Sequence, residues 1–99
     1  MEVQEYTGKE DLTKGKVFLK FGAEWCGPCR MSKSMIRHLA NEYEDVTFID
    51  VDVDKFQELS TKYKLRIVPT VFGLKDGEII GQVPGVNELE YIELISKLA

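Results

Sequence analysis

Two cysteines stand three positions apart in "AEWCGPCR", residues 23–30, with Gly27 and Pro28 between them, and the chain has no others. Cysteines at this spacing can hold a metal, staple the chain, or form and break a disulfide. A structural zinc ion takes four ligands, and only Cys26, Cys29 and a single histidine, His38, are on offer. On a helix that histidine would lie roughly 13 Å beyond Cys29 along the axis and half a turn away. It cannot close a site with the pair, which leaves only a site shared between molecules, and His38 reads as a solvated or half-packed helix residue. A permanent staple is equally poor, because closing so short a loop removes little entropy from the unfolded chain.

The exchange reading fits the local physics. Cys26 would open a helix, where unpaired N–H groups and the helix dipole favour an anion. A thiolate there has a pKa below the free value of about 8.5, and the thiolate is the nucleophile. Pro28 suits a first helical turn because it has no N–H to lose, and Gly27 leaves the approach to Cys26 open. Cys29, one turn further in, is expected to be the shielded member of the pair and to act second, resolving a mixed disulfide. The expectation is therefore an exposed attacker beside a buried resolver.

The elements that must position this pair are legible on either side of it. "KVFLKFGA" (16–23) is a mostly buried strand by composition, and "VTFIDVDVD" (46–54) alternates strictly from Asp50 to Asp54 and reads as a second. Between them Met31, Met35, Ile36, Leu39 and Tyr43 recur at helical spacing, which predicts an amphipathic helix from Pro28 to about Tyr43. Strand, helix, strand is a βαβ unit with parallel strands. A helical stretch over 56–63 follows and ends before "IVPT", where Pro69 pushes Val68 to an extended conformation. "TVFGLKDGEIIGQV" (70–83) is a hairpin about Asp76-Gly77. Leu89, Ile92, Ile95 and Leu98 mark a last helix with Asn87 as its N-cap. "EVQEY" can be a strand, and "KEDLTK" one or two helical turns. The fold class expected is α/β: a single mixed central β-sheet flanked by helices on both faces, βαβ then ββα, over one domain, residues 1–99.

Ninety-nine residues, 43% hydrophobic and 30% charged, make an ordinary globular domain near the small end for a core without metals. A formal charge of −4 argues against nucleic acid or an anionic membrane as partner. The charged N-terminus has no apolar signal region and no run is long enough to span a bilayer. A protein of a reducing compartment, the cytoplasm, is expected, and close cysteines in that setting are catalytic or metal-binding more often than structural.

"WCGPC" after an apolar strand, then a long helix, "VDVD", "VPT", "KDGE" and a final amphipathic helix together resemble the thioredoxin family over essentially the whole chain. The resemblance implies thiol–disulfide exchange with Cys26 as nucleophile and Cys29 as resolving thiol. Trp25 matches the family's active-site tryptophan, and Pro69 its cis-proline, facing the cysteines. Val68 would pair through its backbone with an extended substrate segment, and Gly85 matches a glycine lining the same docking surface. With Gly27, Pro28 and Pro84 these residues would form a shallow apolar patch suited to many protein segments. The resemblance implies no cofactor beyond the redox-active disulfide, thioredoxin reductase as electron donor, disulfide-containing proteins as substrates, and a monomer.

One departure stands out. Many members of the family carry a buried aspartate six residues before the first cysteine, paired with a lysine on the next strand. Here Lys20 takes the first position and Asp50 the second. Either Lys20 reaches solvent at the sheet's end and Asp50 is solvated, or the two form a semi-buried pair beneath Cys29 that modulates the site. Gly22, where a larger residue is common, would loosen packing near the helix, and Ile67, where glycine is frequent, would narrow partner choice. The leading function is a general protein-disulfide reductase. The alternatives are a glutathione-coupled, glutaredoxin-like enzyme and a binding subunit of a larger assembly.

Overall fold

The computed structural model describes residues 2–99, so Met1 alone of the expected domain lies outside the described residues. Along the chain come β1 (Gln4–Glu5), β2 (Lys16–Gly22), α1 (Gly27–Glu42), β3 (Thr47–Asp52), α2 (Gln57–Lys62), β4 (Thr70–Lys75), β5 (Glu78–Pro84) and α3 (Glu88–Lys97). The strands form one sheet in the order β1-β3-β2-β4-β5. β1 and β2 each run parallel to β3, while β2–β4 and β4–β5 are antiparallel. The expected mixed sheet is present.

β2 is the middle strand, and a middle strand must be apolar on both faces. Its alternation divides the core. Phe18 joins Phe48, Val71 and Val83 on the face covered by α1 and α3, against Ile36, Leu39, Tyr91 and Leu94. Val17, Leu19 and Phe21 point the other way and meet Ile49, Val51, Phe72 and Leu74, with Leu59 of α2 and Tyr63 packed over them. Because side chains alternate with a period of two, Lys20 and Gly22 share the face of Phe18. Lys20 pairs in register with Asp50 of β3, itself two residues beyond Phe48. Strand geometry thus carries Lys20 and Asp50 toward α1.

α3 packs closely because two glycines make room. Gly73 and Gly81 are register partners across β4 and β5, and a Cβ on either would stand 2.8 Å or 3.0 Å from Leu94 Cδ1. Leu94 therefore seats in a groove with no side chain on its floor. Asn87 caps the helix as expected, its side chain accepting from the Glu90 amide at 3.1 Å.

Three expectations are corrected. "KEDLTK" forms bends and turns, with Asp11 accepting from the Thr13 amide; that side-chain bond offers the backbone an alternative to a helix. Met31 is exposed, because the buried line on α1 runs through Cys29, Ser32, Ile36, Leu39 and Ala40 and Met31 points well away from it. Leu89 is exposed too: a step of three drifts off a 3.6-residue helix, and the buried line is Tyr91, Leu94, Ile95 and Leu98.

Candidate functional site

The site lies where β2 ends and α1 begins. Cys26 is the N-cap of α1, in an extended conformation, and its Sγ accepts from the Cys29 amide at 3.2 Å. Its own amide bonds back to the Ala23 carbonyl. Cys26 and Cys29 are joined as a disulfide with Cα atoms 5.3 Å apart, inside the range such a bond spans comfortably. A Cβ on Gly27 would meet no atom within 4 Å, so the approach past it is open. Pro28 is the second helical residue, where it loses no hydrogen bond.

Both sulfurs are covered in this disulfide state. Cys26 is 5% exposed and Cys29 3%, packed with Ala23, Val53 and Val68, so the expected contrast between exposed attacker and shielded resolver is small here. Val68 contributes the cover over Cys26: its carbonyl oxygen lies 3.7 Å from Cys26 Sγ, close enough to accept from the thiol once the disulfide opens. The Val68–Pro69 peptide is cis. Thr70 Oγ1 donates to the Ile67 carbonyl at 2.8 Å within the cis-proline loop, and the Gly85 amide donates to the Pro69 carbonyl at 2.8 Å, tying that loop to the one at Gly85. Gly85 has φ +81°, a conformation in which a side chain would be strained. Trp25 is 67% exposed, and its Nε1 donates to Asp54 Oδ2 at 2.9 Å, fixing the indole beside the cysteines. Ile67, next to Val68 in the chain, is exposed.

Beneath Cys29 the two accounts of Lys20 separate. Lys20 is 3% exposed, so it does not reach solvent. Its Nζ donates to the Cys29 carbonyl at 3.0 Å and lies 3.7 Å from Asp50 Oδ2. Desolvation pulls its pKa below the ordinary 10.5, opposed by the Asp50 carboxylate and assisted by the Lys33 ammonium. Gly22 does not loosen the packing as expected: a Cβ there would stand 3.3 Å from Lys20 Cε and 3.4 Å from Cys29 Sγ, so these two side chains take up the room it leaves. A cavity of about 290 Å³ opens beside them, lined by Cys29, Lys20 and Asp50 among others. His38 sits far along α1, exposed and 3.1 Å from Glu42.

Three contributors escaped the sequence reading. Asp54 was visible only as one more acid in an alternating run. Ser32 and Tyr91 form a buried bridge: the Tyr91 hydroxyl donates to the Gly85 carbonyl at 2.8 Å, and since it has one hydrogen, Ser32 Oγ must donate to it across 3.1 Å. A contact between residues 59 apart leaves no local trace in the chain.

A disulfide closed over one helical turn, at the end of a central strand and faced by a cis-proline loop, defines a protein built for dithiol–disulfide exchange. A family model for thioredoxin matches residues 2–97. Thioredoxin of Mycoplasmoides gallisepticum is 40% identical over 97 residues, 89% of this chain and 96% of that protein. Thioredoxin H-type of Ricinus communis is 36% identical over 93 residues, covering 94% of this chain and 79% of the relative. Among solved structures, the reduced thioredoxin pre-protein of Schistosoma mansoni superposes over the whole of both chains with a TM-score of 0.91 at 32% identity. Oxidised mitochondrial thioredoxin 3 of Saccharomyces cerevisiae gives 0.89 at 29% identity, over 97% of this chain and 95% of that one. The chain belongs to the thioredoxin family, and its cysteine pair supports thiol–disulfide oxidoreductase activity of the protein-disulfide reductase type.

Proposed function

We propose that the chain is a general reductase of protein disulfides, acting as one domain in which Cys26 attacks and Cys29 resolves. The observation carrying this assignment of roles is the cap: Cys26 Sγ accepts the Cys29 amide at the start of α1, where the helix stabilises a thiolate. The Cys26 thiolate attacks one sulfur of the substrate disulfide, forming a mixed disulfide and releasing the other sulfur as a thiolate. Cys29 then attacks Cys26 Sγ, the bond to the substrate breaks, and the second substrate sulfur leaves. Two electrons pass to the substrate and the disulfide seen here is the product. No other cofactor enters these steps.

Trp25, Val68, Pro69 and Gly85 surround the pair and are read as the docking surface. An extended substrate segment pairs with the Val68 backbone, as in strand addition, while Gly27 and Pro28 keep the approach low. Recharging by thioredoxin reductase, a monomeric state and a cytoplasmic location are the matching readings. The described residues include no helix long and apolar enough to cross a membrane.

The experiment is a turnover assay on a disulfide-bonded protein, with either NADPH and thioredoxin reductase or glutathione as donor. Turnover with the reductase is expected; turnover with glutathione alone refutes the donor and points to a glutaredoxin-like enzyme. Cys29→Ser should trap a substrate on Cys26, seen as a mixed disulfide by mass spectrometry. Trapping by Cys26→Ser instead would reverse the roles. A biological role that survives replacing both cysteines with serine would make the chain a binding subunit.

A further inference from the structure

Resolution requires the Cys29 thiol to lose its proton at a place that does not favour an anion. Cys29 is buried, and burial disfavours a thiolate. The cavity beside it is lined by Glu5 of β1, Glu24, and Asp50 and Asp52 of β3, whose carboxylates add like-charge repulsion. Against them stand Arg30 and Lys33 on α1 at the cavity wall, and Lys20 within. Lys20 alone among these cations is buried, and its Cε and Cys29 Sγ share the room Gly22 leaves, 3.3 Å and 3.4 Å from where a Cβ would stand. A lysine ammonium has three donors; one is used by the Cys29 carbonyl, and the charge is paired with Asp50 at 3.7 Å.

We propose that the Lys20 ammonium, held on the Cys29 carbonyl while its stem and Cys29 Sγ share the room Gly22 leaves, stabilises the Cys29 thiolate for resolution, with the adjoining cavity as the exit for the thiol proton. Lys20 is a positioning residue: it fixes the helix turn through the Cys29 carbonyl and supplies a field, and it exchanges no proton itself. Asp50 anchors the ammonium and tempers its field. Gly22 sets the spacing. In the step, the proton leaves Cys29 Sγ for solvent through the cavity, the new thiolate forms the bond to Cys26 Sγ, and the departing substrate thiolate is protonated from solvent. The inference rests on Cys29 being the resolving thiol.

The test follows the two thionitrobenzoate releases when the reduced protein meets excess 5,5′-dithiobis(2-nitrobenzoate), by stopped flow across pH 5–9. The first release reports attack by Cys26, the second resolution by Cys29. Lys20→Met should raise the apparent pKa of the second phase by at least about one unit, hence slow it about tenfold at neutral pH, and leave the first phase within about twofold. Lys20→Arg, which keeps the charge and does not release a proton, should restore the second phase. Lys20→Gln is measured alongside in case Met perturbs folding. As a second readout, ultraviolet titration of Cys29 in a Cys26→Ser background should show its pKa raised by Lys20→Met. Unchanged second-phase profiles in both neutral variants overturn the proposal. So does a folded Lys20→Arg protein as slow as Lys20→Met, since a neutral lysine acting as base would then be at work. A second release that persists in Cys29→Ser overturns the assignment of Cys29 itself.

Discussion

Replacing Gly73 with alanine tests whether the seating of α3 is as tight as the geometry says. The new Cβ would stand 2.8 Å from Leu94 Cδ1 and 2.9 Å from Cγ, against an ordinary carbon–carbon separation of about 3.5–4.0 Å. Leu94 has to retreat by roughly 1 Å, and Gly81 gives it no slack, since the Cβ position there is already 3.0 Å from the same methyl. Overpacking of this kind costs about 1–3 kcal/mol; the reduced freedom of the unfolded chain on Gly→Ala returns about 0.4–1 kcal/mol. A net loss of about 1–2 kcal/mol is expected, or roughly 4–15 °C in Tm for a domain of this size. Leu94→Ala alone removes a buried side chain and should cost about 2–5 kcal/mol. In the double variant the clash is gone and the methyl added at position 73 fills part of the void, so the losses should fall short of additive by about 1–3 kcal/mol. Urea and thermal unfolding of the oxidised protein measure all four corners. Additivity within about 0.5 kcal/mol, or a Gly73→Ala protein as stable as the parent, would refute the close-seating argument.

Tyr91→Phe leaves the Ser32 hydroxyl and the Gly85 carbonyl without their shared partner; stability should fall by about 1–3 kcal/mol, and KM for a protein disulfide should rise while reaction with a small aromatic disulfide changes little. An equal loss on both substrates would deny Gly85 a part in docking. Burial raises the Tyr91 pKa above 10.0, so the unfolded chain gives up this proton first: the tyrosine's stabilisation is intact below pH 10 and fades above it, and a Tyr91→Phe denaturation series should lack that component. Lys20 has the opposite linkage. Its folded pKa lies below 10.5, so the unfolded chain binds more protons between the two values, and the parent should gain stability relative to Lys20→Met as pH climbs toward 10.5; a difference flat with pH would mean Lys20 is not desolvated. Trp25→Ala should lower kcat/KM for a protein disulfide severalfold with little change for the small one, and equal effects on both would make the indole structural.

Much of this was legible because it is local. The "WCGPC" run, Asn87 before an acidic turn, and Asp-Gly in a hairpin announce themselves through spacing of a few residues. The buried faces of α1 and α3 were legible in outline, yet Met31 and Leu89 were misplaced because apolar character does not fix an angle on a helix. Lys20 stands out in the sequence as a charge inside an apolar strand, but its surroundings do not, since burial depends on which strand neighbours it and what covers them. Tyr91 was invisible as a site residue: its role arises from contacts to two distant segments. The glycine floor beneath Leu94 likewise exists only once β4 and β5 are paired in register.

The sulfur that does the chemistry also ends a helix. Cys26 Sγ receives a main-chain N–H, and a thiolate accepts such a bond more strongly than a disulfide sulfur does. The reduced protein therefore holds the first turn of α1 more firmly than the oxidised one, and part of the preference between the two states resides in the backbone. Side-chain substitution around the pair can adjust that preference but cannot erase it, because the donor is the main-chain amide of Cys29, the same residue the disulfide requires; only shifting the helix would remove it.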